Sequence, residues 1–482
     1  MKPPFFPDWQ DWLGPVGPRA RAVQRQSLHH LEQLFAPWLP PGALSQADEG
    51  PNSRERIFSV ARTFWGFLWQ VLNPGSPCRE VVRQIQALFA LHGGRAVDER
   101  TGAYCQARSR LPLETLAQVR QAAARHAETH GRRWWFGLTP KVLDGTSVSA
   151  PDTRANQQAY PQPGGQKPGC GFPVLKLVGV FSLATGVLLD YAKGNKHQHE
   201  LTLLQELLES FRPGDLAVAD RGFSCFALLA QLLLRGVGSV MRLHQARPAD
   251  LRRGRRLGKR DRLLTWRKPE QKPWYVPPAV WRQLPDELPV RVLRFTLRVK
   301  GFRPKSVALA TTLVDARQYS AEAVARLYAR RWQIELWFRD LKTTMGLEVL
   351  RCLTPAMLHK ELEMHFIAYN LIRCLQVEAS QKHPAPLERL SFKGALDAVR
   401  QFSGALAQAR SKRKRQAVLA RLLEVIAHDE VPLRPGRREP RAVKRRPKPC
   451  AWLTAPRHTF REVPHRSKNY LKNKTRKNKG LI

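Results

Sequence analysis

Hydrophobic and polar positions follow a helical period in the segment YARRWQIELWFRDLK, which begins at Tyr328. Four polar residues at offsets of zero, three, seven and fourteen fall within roughly 60° of one another, at about 100° per residue. They are Tyr328, Arg331, Glu335 and Lys342. An adjoining arc holds Leu327, Ile334, Phe338, Leu341 and Met345. The pattern predicts one helix that buries an apolar ridge and presents a carboxylate, two cations and a phenol to a cleft.

Upstream of this helix, the hydrophobic pattern changes to short runs that indicate β-strands. The runs are KVLDGTSV from Lys141, VLKLVGVFSL from Val174, GVLLDYA from Gly186, a run that ends at Asp220, and GSVMRL from Gly238. Helical spacing is found near 199–211 and 224–234. Three strands, a helix, a strand, a helix and a strand predict an α/β core.

The regions on both sides of this core have helical patterns. Residues 54–72 are apolar at helical spacing, and the break NPGSP precedes a helix that starts near Arg79. Residues 355–376 again show helical spacing, and two more helices are predicted before His428. The stretch between Asp220 and Glu335 is longer than a minimal core needs, and its strand-like runs predict a β-rich insertion.

These patterns divide the chain into five parts. They are a helical N-terminal region at 1–130, a core at 131–244 and 300–385, a basic β-rich insertion at 245–299, C-terminal helices at 386–430 and a basic tail at 431–482. The tail has too few apolar residues to form a core, so we expect it to be disordered in isolation.

Two aspartates precede Gly-containing segments after short apolar runs. Asp144 lies in KVLDGTSVS and Asp220 in DLAVADRGF, which are contexts of acids at the ends of buried strands. An isolated Asp in this setting often serves as a turn or cap residue. The stripe around Glu335 has an equally simple alternative, a solvated amphipathic helix with weak surface ion pairs. Three acids in such settings favour a shared site.

The charge of the chain indicates a polyanionic partner. Lys and Arg number 81 against 39 Asp and Glu, which gives a formal net charge of +42. Such a charge favours binding to nucleic acid, but RNA-binding proteins are equally basic. Charge alone therefore does not select DNA.

Cysteine usage and hydropathy indicate the cellular setting. The seven Cys residues include no CxxC pair, which argues against a zinc site and a disulfide framework, so a reducing cytoplasm is expected. The N-terminal sequence has no signal-peptide pattern, and the longest apolar stretch, near 177–189, is interrupted by Ala-Thr-Gly. We expect no membrane association.

Together these motifs resemble the DDE transposases of bacterial insertion sequences. In the insertion-sequence-four branch of that family, the third acid lies in a Tyr-Arg-Glu-Lys signature with two, three and six intervening residues, as at Tyr328, Arg331, Glu335 and Lys342. The first acid lies in an Asp-Gly-Thr context, as at Asp144. The likeness covers about 141–375, and it implies a ribonuclease-H-like fold interrupted by a β-rich insertion, with helical N- and C-terminal regions.

The resemblance implies the chemistry of the site. Asp144, Asp220 and Glu335 would be the catalytic acids and would hold two Mg²⁺ ions, for which Mn²⁺ can substitute. Arg331 and Lys342 would bind DNA phosphates, and Tyr328 would contact the terminal nucleotide. Trp266 is the candidate for stacking on an extruded base in the insertion. A packed structural Trp is the open alternative.

The expected function is cut-and-paste DNA transposition by a bacterial, nucleoid-associated enzyme. Double-stranded DNA, as element ends and as target, is the expected partner, with a homodimer forming on DNA and no organic cofactor. One alternative is an inactive relic or repressor that binds DNA without chemistry. Another is a structure-specific nuclease that cuts without joining.

Overall fold

The computed structural model describes most of the chain outside its terminal regions. The described residues are 29–45, 56–91, 96–131, 134–247, 251–297, 305–409, 411–432 and 453–460. Most of the predicted tail at 431–482 lies outside them. Within these ranges, no helix combines the length and the apolar character needed to span a bilayer.

Nine strands of the described chain form one mixed sheet. They are β1 (Thr139–Ser149), β2 (Val174–Ser182), β3 (Leu188–Gly194), β4 (Asp215–Ala219), β5 (Gly238–Arg242), β6 (Arg255–Gly258), β7 (Asp261–Arg267), β8 (Glu287–Leu297) and β9 (Lys305–Thr311). Their order across the sheet is β3-β2-β1-β4-β5-β9-β8-β7-β6. β1, β2 and β3 pair antiparallel, whereas β4 runs parallel to both β1 and β5.

Helices cover the sheet and flank it. They are α1 (His29–Phe35), α2 (Val60–Leu72), α3 (Cys78–Leu91), α4 (Gly102–Arg110), α5 (Leu113–Gly131), α6 (Arg154–Ala159), α7 (Glu200–Leu207), α8 (Phe226–Leu234), α9 (Pro278–Gln283), α10 (Ala321–Ala329), α11 (Gln333–Arg339), α12 (Pro355–Lys382), α13 (Phe392–Gln408) and α14 (Lys412–His428). The predicted order of three strands, helix, strand, helix and strand is confirmed in β1 to β5, with α7 before β4 and α8 before β5, except that the short helix α6, which was not predicted, lies between β1 and β2.

Successive side chains of the core strands point alternately into two apolar layers, one on each face of the sheet. Val142 and Val218 point into the layer that contains α12, whereas Leu143 and Ala217 point into the layer that contains α7 and α8. Because successive side chains of a strand face opposite sides, a strand with both faces covered is apolar throughout. This explains the unbroken apolar runs of the core strands.

The β-rich insertion continues the core sheet. β9 pairs with β5 on one side and with β8 on the other, and β7 and β6 follow at the edge. A buried ion pair anchors this extension, with Arg291 Nη2 2.5 Å from Asp261 Oδ2. Arg291 also donates to the carbonyl of Tyr319, close before α10. The insertion is therefore tied to the helical segment that carries Glu335.

The helical N-terminal region packs against the same long helix as the sheet. α5 lies along α12, and Arg120 on α5 pairs with the buried Glu363 on α12 at 2.9 Å. Arg120 also pairs with Asp190 on β3 at 3.3 Å. These contacts join N-terminal helices, sheet and α12 through one buried guanidinium.

Candidate active site

The first two acids are brought side by side by the parallel pairing of β1 and β4. The register aligns Leu143 with Ala219, and Asp144 and Asp220 are the next residue on each strand. The prediction that both end their strands is right for Asp220 and wrong for Asp144. β1 continues to Ser149 because Asp144 and the residues after it stay paired with β2. Gly145 is therefore an extended strand residue and does not form a turn.

The helical segment that carries Glu335 departs from a single α-helix. α10 is followed by a 3₁₀ turn, Arg330–Trp332, and α11 by a π-helical turn, Asp340–Thr344. Four of the five residues of the predicted apolar ridge, Leu327, Ile334, Leu341 and Met345, are buried, and Phe338 is half-buried. A 3₁₀ turn has three residues per turn and a π turn more than four, so a uniform step of 100° per residue does not predict the direction of the Lys342 side chain. The single-helix prediction is wrong in this respect.

Arg331 joins the first acid to the third. Its Nη1 lies 3.1 Å from Asp144 Oδ2, and its Nη2 lies 3.5 Å from Glu335 Oε1. The Arg331 side chain is 9% exposed, whereas that of Glu335 is 44% exposed. One guanidinium thus pairs with two carboxylates at the mouth of the site.

Tyr328 contacts the second acid. Its hydroxyl donates to Asp220 Oδ1 at 3.2 Å. Burial raises the pKa of Tyr328, so the hydroxyl stays protonated and acts as a donor. Lys342 lies half-buried on the π-helical turn and makes no ion pair with the described residues. Of the four signature residues, Tyr328 and Arg331 therefore contact the aspartates directly.

The environment of Asp144 favours its protonated form. Burial is the main cause that raises the pKa of Asp144 to about 6, and the charges of Glu200 and Asp220 act in the same direction. The backbone N–H of Gly145 and the Arg331 guanidinium oppose this shift. Desolvation is the larger cause, and repulsion between carboxylates adds to it.

The sequence patterns did not identify Glu200 as part of this site. Glu200 is the first residue of α7, and a Cβ at Gly145 would lie 2.1 Å from its Oε1. Its carboxylate therefore occupies the space above Gly145, beside Asp144, and makes no hydrogen bond or ion pair with the described residues. A Glu at a helix start is too common to signal this position.

The three acids offer the oxygen donors that a hard divalent cation prefers, but they are not grouped around a single cation position. Carboxylate oxygens are the ligands that Mg²⁺ prefers. Among the described residues, no three His, Cys, Asp or Glu side chains come close enough together to hold a metal ion. Arg331 lies between Asp144 and Glu335, which accounts for this spacing, because its guanidinium uses the oxygens that a cation would need.

Trp266 lies in the insertion but is not exposed. It is 6% exposed on β7 and packs in the layer with α8, and the Arg247 guanidinium lies 4.1 Å from its ring centroid. Trp274, in the loop before α9, is 67% exposed. In this conformation Trp274 offers a ring face to a base, whereas Trp266 would first need Arg247 to move.

Comparisons with known proteins agree on one family. The family model described as "Transposase DDE domain" matches residues 135–371. The transposase InsG of insertion sequence element IS4 from Escherichia coli (strain K12) is 28% identical over 453 residues, covering 92% of this chain and 98% of that protein. A putative transposase, InsZ, from the same organism is 28% identical over 174 residues, covering 35% of this chain and 57% of that protein.

A solved structure gives a weaker match. The piggyBac transposase in a synaptic complex with hairpin DNA is similar at a TM-score of 0.39 and 10% identity, covering 86% of this chain and 87% of that one.

Proposed function

Because this chain belongs to the transposase DDE-domain family, we propose that Asp144, Asp220 and Glu335 are the acids with which it cleaves and joins DNA. The chain is a transposase, and its reaction is DNA strand cleavage followed by strand transfer. The proposal concerns which residues perform it and how they act.

One observation carries this assignment. Parallel pairing places Asp144 and Asp220 on adjacent strands at the same level, and Arg331 ties Glu335 to Asp144. Arg331 thus connects a helix carboxylate to the strand acids, although 191 positions separate Asp144 from Glu335 in the sequence. A solvated amphipathic helix would not require its Arg to be buried against a strand acid.

The acids would hold Mg²⁺, with two ions expected and Mn²⁺ as a substitute. Bound there, such ions activate an attacking oxygen and stabilise a leaving oxygen at phosphorus. Asp144, Asp220 and Glu335 supply hard, anionic oxygens for this purpose. Tyr328 orients the Asp220 carboxylate through its hydroxyl.

Arg331 would change partners when the site is loaded. Two of its N–H groups hold one oxygen each of Asp144 and Glu335, so a metal ion would compete with these ion pairs for the carboxylates. A planar guanidinium released from carboxylates is suited to grip a DNA phosphate in the same fork geometry. Lys342, which is not paired within the described residues, would add a point charge beside it.

Finer features of fold and assembly follow the same proposal. The order β3-β2-β1-β4-β5, with β4 and β5 parallel to β1, supports a ribonuclease-H-like core. The N-terminal helices would bind element ends, and α13 and α14 would contribute to a homodimer on DNA. Cut-and-paste excision is the proposed route.

The test is a cleavage and joining assay on supercoiled DNA that carries the gene with its genomic flanks, in Mg²⁺. We expect breaks at both flanks and joined products with the unaltered chain. Glu335→Gln should lower the cleavage rate by at least about 10²-fold, since it removes a charged ligand, and should leave end binding nearly unchanged.

Glu322→Gln is the matched control, because Glu322 is an exposed carboxylate on α10 that pairs with Arg326 on the surface. It should cleave at the normal rate. Loss of DNA binding in Glu335→Gln would contradict the assignment. Flank binding without breaks in the unaltered chain would favour the inactive relic, and breaks without joining would favour the nuclease.

A further inference from the structure

Three cysteines line a cavity that contains none of the three acids. The cavity, of about 480 Å³, lies between the N-terminal helices and the segment that follows the π-helical turn. Cys78, Cys105, Cys352 and Arg108 line it, with Phe67 and Met345 among the apolar residues. The proposed transposition chemistry uses none of these thiols.

The Arg108 guanidinium at this cavity contacts two cysteine sulfurs. Arg108 is 8% exposed, and its guanidinium lies 3.3 Å from Cys78 Sγ through Nη1 and 3.0 Å from Cys352 Sγ through Nη2. It stacks 4.3 Å above the centroid of Phe67, and no carboxylate of the described residues forms an ion pair with it. A buried cation without a carboxylate is stabilised best when a neighbouring thiol ionises.

Cys78 is the thiol placed to ionise. It is the first residue of α3, a helix of 14 residues, where the helix dipole favours negative charge. Cys105 lines the same cavity as Cys78. The interaction between the two thiols, together with Arg108, lowers the pKa of Cys78 to about 5 although burial opposes the shift, and it raises the pKa of Cys105. Gln70 Nε2 lies 3.7 Å from Cys78 Sγ as a further donor.

We propose that Cys78 is a reactive thiolate that forms a disulfide with Cys105 when a hydroperoxide oxidises it. Cys105 is exposed and Cys78 half-buried at the cavity wall, so a small oxidant has access to both. Arg108 holds the charge of Cys78, and the thiol of Cys105 is the neighbour that resolves the oxidised sulfur.

The peroxide is the two-electron oxidant that converts the two thiols to a disulfide. The Cys78 thiolate sulfur attacks one peroxide oxygen, the O–O bond breaks and hydroxide leaves, which yields a sulfenic acid. The Cys105 sulfur then attacks the Cys78 sulfur and displaces hydroxide, which takes the Cys105 proton and leaves as water. One S–S bond is formed, both thiols are oxidised, and the peroxide is reduced to water.

Oxidation would weaken contacts between the N-terminal helices and the core. Arg108 would lose its thiolate partner while it remained buried against Cys352. Arg351, next to Cys352, donates to the carbonyls of Gly75 and Ser76 just before α3. We therefore expect the oxidised protein to melt at a lower temperature and a dithiol reductant to restore the original value.

The test treats the full chain with hydrogen peroxide, alkylates the remaining thiols and maps tryptic peptides by mass spectrometry. Cleavage after Arg and Lys releases Cys78 in the peptide 63–79 and Cys105 in the peptide 101–108. We expect these two peptides to be joined, and separated again by dithiol. Unjoined, fully alkylated peptides at a peroxide dose that oxidises an added low-pKa thiol would overturn the proposal.

Cys170 is the matched control, because it is half-buried like Cys78 and lies on the loop before β2. At about pH 6, Cys78 should react with iodoacetamide roughly fivefold faster than Cys170, since the larger thiolate fraction outweighs the lower intrinsic nucleophilicity. In Cys105→Ser, dimedone should trap a sulfenic acid at Cys78. Equal rates for Cys78 and Cys170, or no trapped sulfenic acid, would each contradict the proposal.

Discussion

At the scale of single residues, Arg331 links the first and third acids of the candidate site. Three carboxylates and Glu200 lie near one another, and burial makes charge on Asp144 costly. Arg331 offsets this cost by pairing with Asp144 and Glu335 at once. Its spacing from Glu335 was visible in the sequence, but its contact with Asp144 was not, because that contact spans 187 positions.

Glu200 provides a prediction at the same scale. We expect Glu200→Gln to weaken Mn²⁺ binding about threefold to tenfold, since removing a nearby negative charge lowers the attraction for a cation by about 1 kcal/mol. Titration calorimetry on the DNA-free protein measures this directly. Glu206→Gln, an exposed position on the same helix α7, should bind Mn²⁺ with unchanged affinity. If Glu200→Gln left the Mn²⁺ affinity unchanged, Glu200 would not be part of the cation site.

At the scale of elements, the insertion and the Glu335 segment differ most from their predicted forms. β6 to β8 extend the core sheet through β9, and the buried pair Arg291–Asp261 holds that extension to the chain before α10. The Glu335 segment includes a 3₁₀ turn and a π-helical turn. Hydrophobic periodicity detects that a helix exists, whereas packing decides where its turns tighten or widen.

Two tryptophans of the insertion should respond differently to substitution. Trp266→Ala should lower the free energy of unfolding by about 3–5 kcal/mol, since it empties a buried position. Trp274→Ala should change stability by at most about 0.5 kcal/mol but weaken binding to element-end DNA by about 1–3 kcal/mol if the ring stacks on a base. Urea unfolding and fluorescence anisotropy provide the two measurements.

Trp274→Phe is the control for that experiment, because it retains an aromatic face and should keep most of the affinity. A stable Trp266→Ala protein with a selective loss of DNA binding would restore the stacking role predicted for Trp266. Such a result would mean that Arg247 leaves the ring when DNA binds.

At the scale of the whole molecule, charge and architecture act together. With a net charge of +42, the positive side chains repel one another in the absence of a polyanion. Apolar packing on both faces of the one sheet opposes this repulsion. N-terminal helices, sheet and α12 share the buried Arg120 with its two carboxylate partners. The described residues thus form a well-packed body, and part of the excess positive charge lies in residues outside them.

This charge predicts a steep dependence of DNA binding on salt. If the protein neutralises about 6–10 phosphates, its affinity should fall by about 10³–10⁵ between about 50 and 200 mM monovalent salt. Removing residues 461–482, which contain eight Lys and Arg against one Glu, should make the slope shallower without altering contacts among the described residues. An equal slope after truncation would exclude this segment from phosphate contact.

The sequence by itself determined the order of the core strands and indicated the family, and it predicts the three acids. Period-two and period-3.6 patterns follow from local backbone geometry, so strands β1 to β5 and the helices α7 and α8 could be predicted directly, whereas the short helix α6 was not predicted. The acids stood out because each lies in a short motif, as Asp144 does in Asp-Gly-Thr.

Only the tertiary structure decided how those residues meet. The neighbourhood of Asp144 and Asp220, the Arg331 bridge, the position of Glu200 over Gly145 and the burial of Trp266 all depend on contacts between distant segments. Strand register and side-chain packing across the sheet set these contacts. A local pattern contains no information about them, because burial and pairing are properties of the folded chain.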